Sequence, residues 1–385
     1  MTWGLPTVAG IGVDKGACAP VAGTEFPIGE STVTCTADQP ALASACSFSV
    51  TITPPDLVCP PSVQRQSLDT LPVSVTWPLP TVAGVGFDQA SCSPVSGSSF
   101  PIGLSTVTCT ALPAFDRGCS FAISIAPPDP SLRFTKFMAF GDSITAGEVG
   151  TSGALGVTAR QFRGLHAAGG RQIPGISRVV LPLSAYPAQL QNLLTPAYRT
   201  QTFSVANEGL SGERAAQGVS RLTSALLAGQ PEVLMLLQGT VDIDLALLNR
   251  PAGDETPIDV APIAADLRNM VLNAKSRGVV VLLATLTPVI DDEDESDFGA
   301  RAAIAALNAE IRSMGPQLGL GGVVDLHAAL DGVSGVIGAD GLHPTIAGYR
   351  RMGEIFFAEI VSRYDNTPRA PFTAAPNRAT RRIGR

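Results

Sequence analysis

Two short segments carry residue types suited to nucleophilic acyl chemistry. Gly141-Asp142-Ser143-Ile144-Thr145 offers a serine hydroxyl, and Asp340-Gly341-Leu342-His343-Pro344 offers an imidazole with a carboxylate three residues before it. Ester cleavage by a serine needs a base beside the hydroxyl, an acid to orient the base, preorganised donors for the oxyanion, and a nucleophile exposed at a strand end. Gly141 follows an apolar run ending at Phe140 and permits a sharp turn at a strand's carboxyl edge, where ligand crevices of open α/β sheets form. Asp340 and His343, three apart at a turn, can point into one crevice, the acid fixing the tautomer while the other ring nitrogen faces Ser143. Each segment alone has a plain structural reading, as an N-cap or Asx turn and as a polar loop. The chain holds only three histidines, His166, His327 and His343, so the choice of base is narrow. His166, in a Gly/Arg-rich segment, and His327, just after a strand, read as structural or solvated.

The elements between these segments alternate. Strands are expected at 134–140, 202–206, 233–237, 279–286 and 322–326, and helices at 186–194, 213–227, 260–276, 298–314 and 345–364. Five strands alternating with helices imply a parallel sheet covered on both faces. The serine segment follows the first strand and the histidine segment precedes the last helix, a coincidence that favours catalysis over two unrelated loops. Residues 148–184 are long for a connection, and Ile173-Pro-Gly-Ile and Val179-Val-Leu-Pro-Leu suit a partial lid over the crevice. The acidic run Asp291–Asp297 lacks the glycine and spacing of a calcium loop and reads as a solvated loop.

At this point the alternating region resembles the GDSL/SGNH hydrolases. Gly141-Asp-Ser-Ile-Thr is similar to that family's first block, Asn207-Glu208-Gly209 to its second and Asp340-x-x-His343-Pro344 to its last. The resemblance implies a flavodoxin-like three-layer α/β fold with no metal and no organic cofactor. It implies Ser143 as nucleophile, His343 as base and then acid, and Asp340 as the orienting acid. The backbone N–H groups of Ser143 and Gly209 would line the oxyanion hole, the missing side chain of Gly209 letting the substrate oxygen approach. Asp142, Asn207, Gly239, Thr240 and Asp242 fall at supporting positions. The third block departs from the family's Gly-x-Asn-Asp: it reads Gly239-Thr240-Val241-Asp242, and Val241 cannot donate a hydrogen bond. Loss of one oxyanion donor typically costs about 10²–10³ in kcat. Thr240, Gln238 and Asn207 are candidate substitutes.

The first third of the chain is an internal repeat. Trp3-Gly-Leu-Pro-Thr-Val-Ala-Gly returns 74 residues later as Trp77-Pro-Leu-Pro-Thr-Val-Ala-Gly, and Phe26-Pro-Ile-Gly and Ser31-Thr-Val-Thr-Cys-Thr-Ala return likewise. Short Val/Thr/Ser/Phe runs broken by Pro and Gly indicate all-β sandwich modules. The units resemble immunoglobulin-like hyalin-repeat (HYR) modules, through Cys59-Pro-Pro, Val75-Thr-Trp-Pro, Phe100-Pro-Ile-Gly and Val107-Thr-Cys. All seven cysteines precede residue 120, as expected of disulfide-stapled modules in an oxidising compartment. Four cysteines in the complete unit allow three connectivities; Cys59–Cys109 with Cys92–Cys119 is favoured, with Cys18–Cys46 in the first unit and Cys35 left over. The first unit lacks a counterpart of Cys59 and no signal peptide is visible at Met1, so a longer natural chain, N-terminally truncated here, is expected.

The domain plan is thus a truncated module (1–53), a complete module (54–128), a linker (129–133), an α/β hydrolase domain (134–366) and a basic disordered tail (367–385). The 385 residues carry a net charge of −7, with 45% hydrophobic and 15% charged residues, a globular composition. The balance lacks the basic face nucleic-acid binding needs, and no apolar run reaches the roughly 18 residues of a membrane span. The expected protein is a secreted or cell-surface carboxylester hydrolase. Its substrate would be a small-molecule, lipid or acetylated-glycan ester, and its modules would attach it to a surface or glycan. The rival reading is a surface binding or adhesion protein with a vestigial hydrolase domain.

Overall fold

The computed structural model describes residues 1–3, 7–8, 11–12, 16–37, 45–82, 85–86, 90–111, 117–149, 179–251, 254–290, 299–320, 322–338 and 340–368. His166, the acidic run 291–297, most of the expected lid (150–178) and nearly all of the expected tail lie outside the described residues. The chain forms two compact units, one over 1–128 and one over 129–367.

The second unit is an α/β layer structure. Its strands are β1 (Lys136–Gly141), β2 (Ser204–Gly209), β3 (Val233–Leu237), β4 (Val280–Ala284) and β5 (Gly322–Val324). They pair in parallel in the order β2-β1-β3-β4-β5. That is the flavodoxin-like order, in which the direction of winding reverses between β1 and β3. All of β3 and most of β1 and β4 are buried, as expected of strands covered on both faces. The edge strand β2 is only half-buried.

The helices are α1 (Ser143–Ala146), α2 (Tyr186–Ala197), α3 (Ala215–Gly229), α4 (Thr240–Leu248), α5 (Ala261–Ser276), α6 (Ala300–Leu318), α7 (Leu326–Leu330) and α8 (Ile346–Tyr364). Each long helix buries one stripe at helical spacing: Tyr186, Leu190 and Leu194 on α2, and Tyr349, Met352, Phe356 and Ile360 on α8. α2 and α8 pack together, their Tyr186 and Phe356 rings stacked 4.9 Å apart, while α3, α5 and α6 pack as a second group. Right-handed crossovers from a sheet that winds in both directions require this division. No described helix is long and apolar enough to cross a membrane.

Residues 129–133, expected as a linker, carry structure of this unit. Leu132 is buried and bridges Asp365, Arg133 N–H donates to Tyr364 O, and the Phe134 and Tyr364 rings meet edge to face at 5.0 Å. The start and end of the α/β unit are thereby sewn together.

In the first unit, the complete module has strands Ala90–Ser93, Gly103–Ala111, Gly118–Ala126 and Val63–Gln66 in one sheet. A second sheet, of Val85–Gly86, Thr81–Val82 and Leu57–Val58, shares a core built on Val75, Phe100, Val107, Phe121, Ile123 and Ile125. The repeat is physical as well as textual. Trp77 lies 5.9 Å from Phe100 and 5.4 Å from Phe121, and Trp3 lies 5.9 Å from Phe26 and 5.5 Å from Phe48.

The favoured cysteine connectivity is overturned. The disulfides are Cys92–Cys109, Cys59–Cys119 and Cys18–Cys35, and Cys46, not Cys35, is the free thiol. The reason is strand register. Cys92 stands directly opposite Cys109, and Cys18 opposite Cys35, with Cα atoms 3.9 and 4.0 Å apart. Cys119 flanks Cys109 on the other side and turns to Cys59 instead. Cys46 is the counterpart of Cys119. In the chain-entropy account, closing loops of 17 residues stabilises by about 3 kcal/mol each.

Candidate functional site

The carboxyl ends of β1, β2 and β3 meet at the reversal point of the sheet, and α1 begins there. Gly141 ends β1 opposite Gly209 of β2 and Leu237 of β3. A Cβ at Gly141 would lie 2.0 Å from the Leu237 carbonyl oxygen, so no larger residue fits between the strands. Asp142 caps α1 by accepting from Ile144 N–H at 3.1 Å, which leaves Ser143 as the first helical residue. Its own N–H thus lies outside the helix's hydrogen-bond ladder. Ser143 is 6% exposed.

The histidine segment arrives from the far end of the chain. Asp340 Oδ1 accepts from the N–H groups of Leu342 and His343, both at 3.1 Å, which folds the segment into a turn. Asp340 Oδ2 is 2.7 Å from His343 Nδ1, and His343 Nε2 is 2.8 Å from Ser143 Oγ. With Nδ1–H donated to the carboxylate, Nε2 keeps its lone pair and accepts from the serine O–H. The structure thus brings together Ser143, His343 and Asp340, residues up to 200 positions apart.

The electrostatics follow from burial and pairing. Burial alone would raise the Asp340 carboxyl, but the hydrogen bond and charge of His343 and the two N–H groups outweigh it and hold Asp340 below the ordinary carboxylate value. Burial pulls the His343 imidazole down, but the bond to Asp340 and the charges of Asp340, Glu148 and Asp142 outweigh it and hold the imidazole above its ordinary value.

The supporting residues divide. Gly209 N–H donates to Asn207 Oδ1 at 3.0 Å. A Cβ on Gly209 would fall 2.1 Å from Ala146 N, so its missing side chain makes room for the backbone of α1. Asp242 Oδ2 accepts from Ala215 N–H at 2.9 Å and so ties the start of α4 to the start of α3. Burial raises the Asp242 carboxyl, and that N–H partly offsets the rise. The Gln238 amide nitrogen is committed to the Glu213 carbonyl at 3.0 Å. The Thr240 hydroxyl is buried and has no hydrogen-bond partner among the described residues. Val241 is half-buried at the start of α4. His327 lies half-buried in α7, whose start Asp325 caps.

Two features were not read from the sequence. Arg221 makes a bidentate pair with Glu213 at 2.6 and 2.8 Å, donates to the Glu208 carbonyl at 2.9 Å and lies 4.0 Å over the Phe140 ring. It holds the loop after β2 against β1. Tyr349 of α8 donates to the Glu148 carbonyl at 2.6 Å, bracing the segment after α1.

A serine hydrogen-bonded to a buried imidazole–carboxylate pair, at the reversal point of a flavodoxin-like sheet, marks an α/β protein of the ester-hydrolase class. The GDSL-like lipase/acylhydrolase family model matches residues 139–351, more than half of the chain, and the chain belongs to that family. Residues 50–125 match the HYR domain model. Hyalin of Strongylocentrotus purpuratus is 37% identical over 148 residues, 34% of this chain and 12% of that protein, so the chain spans a small part of that relative. Among solved structures, a lipase/acylhydrolase from Enterococcus faecalis is 23% identical, with 62% of this chain and all of that one covered and a TM-score of 0.43. An acetylxylan esterase from Geobacillus stearothermophilus is 22% identical, with 59% of this chain and 94% of that one covered and a TM-score of 0.43.

Proposed function

We propose that this protein is a serine carboxylester hydrolase acting through an acyl-serine intermediate. The reading rests on the two hydrogen bonds that link Ser143 Oγ to His343 Nε2 and His343 Nδ1 to Asp340 Oδ2. As Oγ attacks the ester carbonyl carbon, Nε2 takes its proton and the carbonyl π pair becomes the oxyanion. The imidazolium then gives that proton to the leaving alkoxide oxygen as the C–O bond breaks. A water molecule, deprotonated by the same nitrogen, attacks the acyl carbon and frees Ser143. Asp340 keeps the tautomer and stabilises the imidazolium.

The N–H groups of Ser143 and Gly209 are the proposed oxyanion donors, the second in competition with Asn207 Oδ1. Val241 leaves the usual third position without a donor. Of the proposed substitutes, Gln238 is engaged with Glu213, while the Thr240 hydroxyl is uncommitted among the described residues. The substrate is an ester of a small molecule, a lipid or an acetylated glycan. Three disulfides and the HYR domain support a secreted or surface location, with the modules, divided near residues 53 and 128, serving attachment.

Hydrolysis of p-nitrophenyl acetate and longer acyl esters by wild type and Ser143→Ala tests the mechanism. Activity lost in the variant is expected, with the chain-length profile naming the acyl class. Equal rates in both would refute it. Val241 alone favours the second reading, a surface binding protein on a vestigial hydrolase scaffold. Wild-type activity no greater than that of Ser143→Ala, together with no labelling by a serine-directed phosphonate, would overturn the enzyme reading and leave that one.

A further inference from the structure

We propose that Asp142 is a positioning residue for this reaction, a buried carboxyl that sets the protonation of His343 and so the pH at which the imidazole can act as base. The inference rests on the reading of His343 as base. Asp142 immediately precedes Ser143 and is completely buried. One carboxylate oxygen caps α1 through Ile144 N–H at 3.1 Å; the other, Oδ2, has no hydrogen-bond partner among the described residues. A cap alone needs one acceptor and no charge, since a neutral amide would serve as well. The second oxygen is the feature the cap does not explain.

The groups whose charges act on or feel Asp142 come from several elements. His343 comes from the turn before α8, Asp242 from α4, Glu213 from the loop before α3, Tyr186 from α2 and Tyr349 from α8. His343 is itself faced by Asp340 and Glu148. Of all these, His343 alone can carry positive charge. Two of those acids are near fixed cations, Glu213 through its pair with Arg221 and Asp242 through the charge of Arg214, so their repulsion is partly offset and burial is the main reason Asp142 favours its neutral form. Burial accordingly pushes Asp142 up to about 7, against smaller opposing effects of the Ile144 N–H and His343.

The site thus holds two carboxyls with opposite habits. Asp340, bonded to Nδ1, stays ionised and orients the ring, while Asp142 changes charge near neutrality. Environments that push two carboxyls apart assign them different tasks. While Asp142 is neutral it adds nothing to the imidazolium. Once ionised, its charge favours the imidazolium and delays release of the His343 proton to higher pH. Because the two groups interact, their titrations belong to the pair.

The test is Asp142→Asn, which keeps an oxygen for the Ile144 N–H and fixes the neutral state. The expected result is an acid limb of kcat/KM displaced to lower pH. The ratio of variant to wild-type kcat/KM is then expected to rise between pH 5.5, where Asp142 is neutral in wild type as well, and pH 7, where its charge is present only in wild type. A purely structural role would lower the rate by the same factor at every pH, and that outcome would overturn the proposal. The second measurement is NMR titration of the ¹⁵N-labelled histidine rings of the wild-type full chain. The chain has only three histidines. His343 is expected to show a two-step curve with one step near pH 7; a single step overturns the proposal even if Asp142→Asn does not fold. This titration reads coupling independently of turnover, so its failure is distinguishable from failure of the esterase reading, which Ser143→Ala decides.

Discussion

Gly209→Ala separates two reasons for the same glycine. If Gly209 is small to admit a substrate oxygen, an added methyl impairs catalysis and leaves the fold intact. The structure argues for a different constraint. The new Cβ would lie 2.1 Å from Ala146 N, 2.5 Å from Thr145 C and 2.6 Å from Ala146 Cα. All three are backbone atoms, so no side-chain rotation relieves the overlap. Restoring ordinary contact near 3.4 Å requires β2 and α1 to separate by roughly 1.3 Å. Overpacking of this kind typically costs about 1–3 kcal/mol, and the backbone contacts place Gly209→Ala at the upper end. For a unit of this size that lowers Tm by about 5–10 °C.

α1 carries Ser143, whose Oγ is 2.8 Å from His343 Nε2, so the same displacement loosens that bond. A misplacement of about 1 Å at a reacting group costs on the order of 10² in rate. Scanning calorimetry together with kcat/KM on p-nitrophenyl butyrate should therefore show both quantities falling in Gly209→Ala. A variant with wild-type Tm and reduced kcat/KM would refute the packing argument and return Gly209 to a role at the substrate.

Two further changes test the parts around the site. Val241→Asn restores a side-chain donor at the third-block position and should raise kcat by about 10²; initial rates no different from wild type would show that this position does not reach the oxyanion. Arg221→Met leaves the Glu213 carboxylate, whose side chain is 2% exposed, with only the Gln238 amide at 3.4 Å among the described residues. Breaking a buried pair from one side costs about 3–5 kcal/mol, and because Arg221 is itself about a quarter exposed, a loss near 3 kcal/mol is expected in urea unfolding. A loss below about 1 kcal/mol would mean that Glu213 is held by its other contacts.

The elements legible in the sequence were those with a strong period. β3 falls on residues 233–237 as expected, and α5 and α8 each begin one residue later than expected. α2 and α6 run three and four residues past their expected ends, through Pro196 and Pro316. α4 is not legible in the sequence because Thr240–Leu248 is apolar nearly all round and offers no stripe. The disulfide pairing is not legible in the sequence because it depends on which strands are neighbours and in what register, neither of which spacing reveals. At the site, residue type and order were enough to bring Ser143, Asp340 and His343 forward. The isolation of Asp142 and the hold of Arg221 on the β2 loop exist only once the strands are stacked.

The site owes its geometry to contacts made far along the chain. Ser143 stands on a four-residue helix too short to hold itself, and it is fixed from both sides: Gly141 against the Leu237 carbonyl and Gly209 against the backbone of α1. His343 is fixed independently, by Asp340, by its own carbonyl accepting from Gly338 N–H at 2.8 Å, and by Ile290 N–H donating to Gly341 at 2.9 Å. What joins the two halves is closure of the whole unit. Tyr349 reaches across to Glu148, and Leu132 and Arg133 pair with Asp365 and Tyr364. Hydrogen bonds of such long sequence separation cannot persist when the sheet opens, so the Ser143–His343 bond forms only with the complete α/β core.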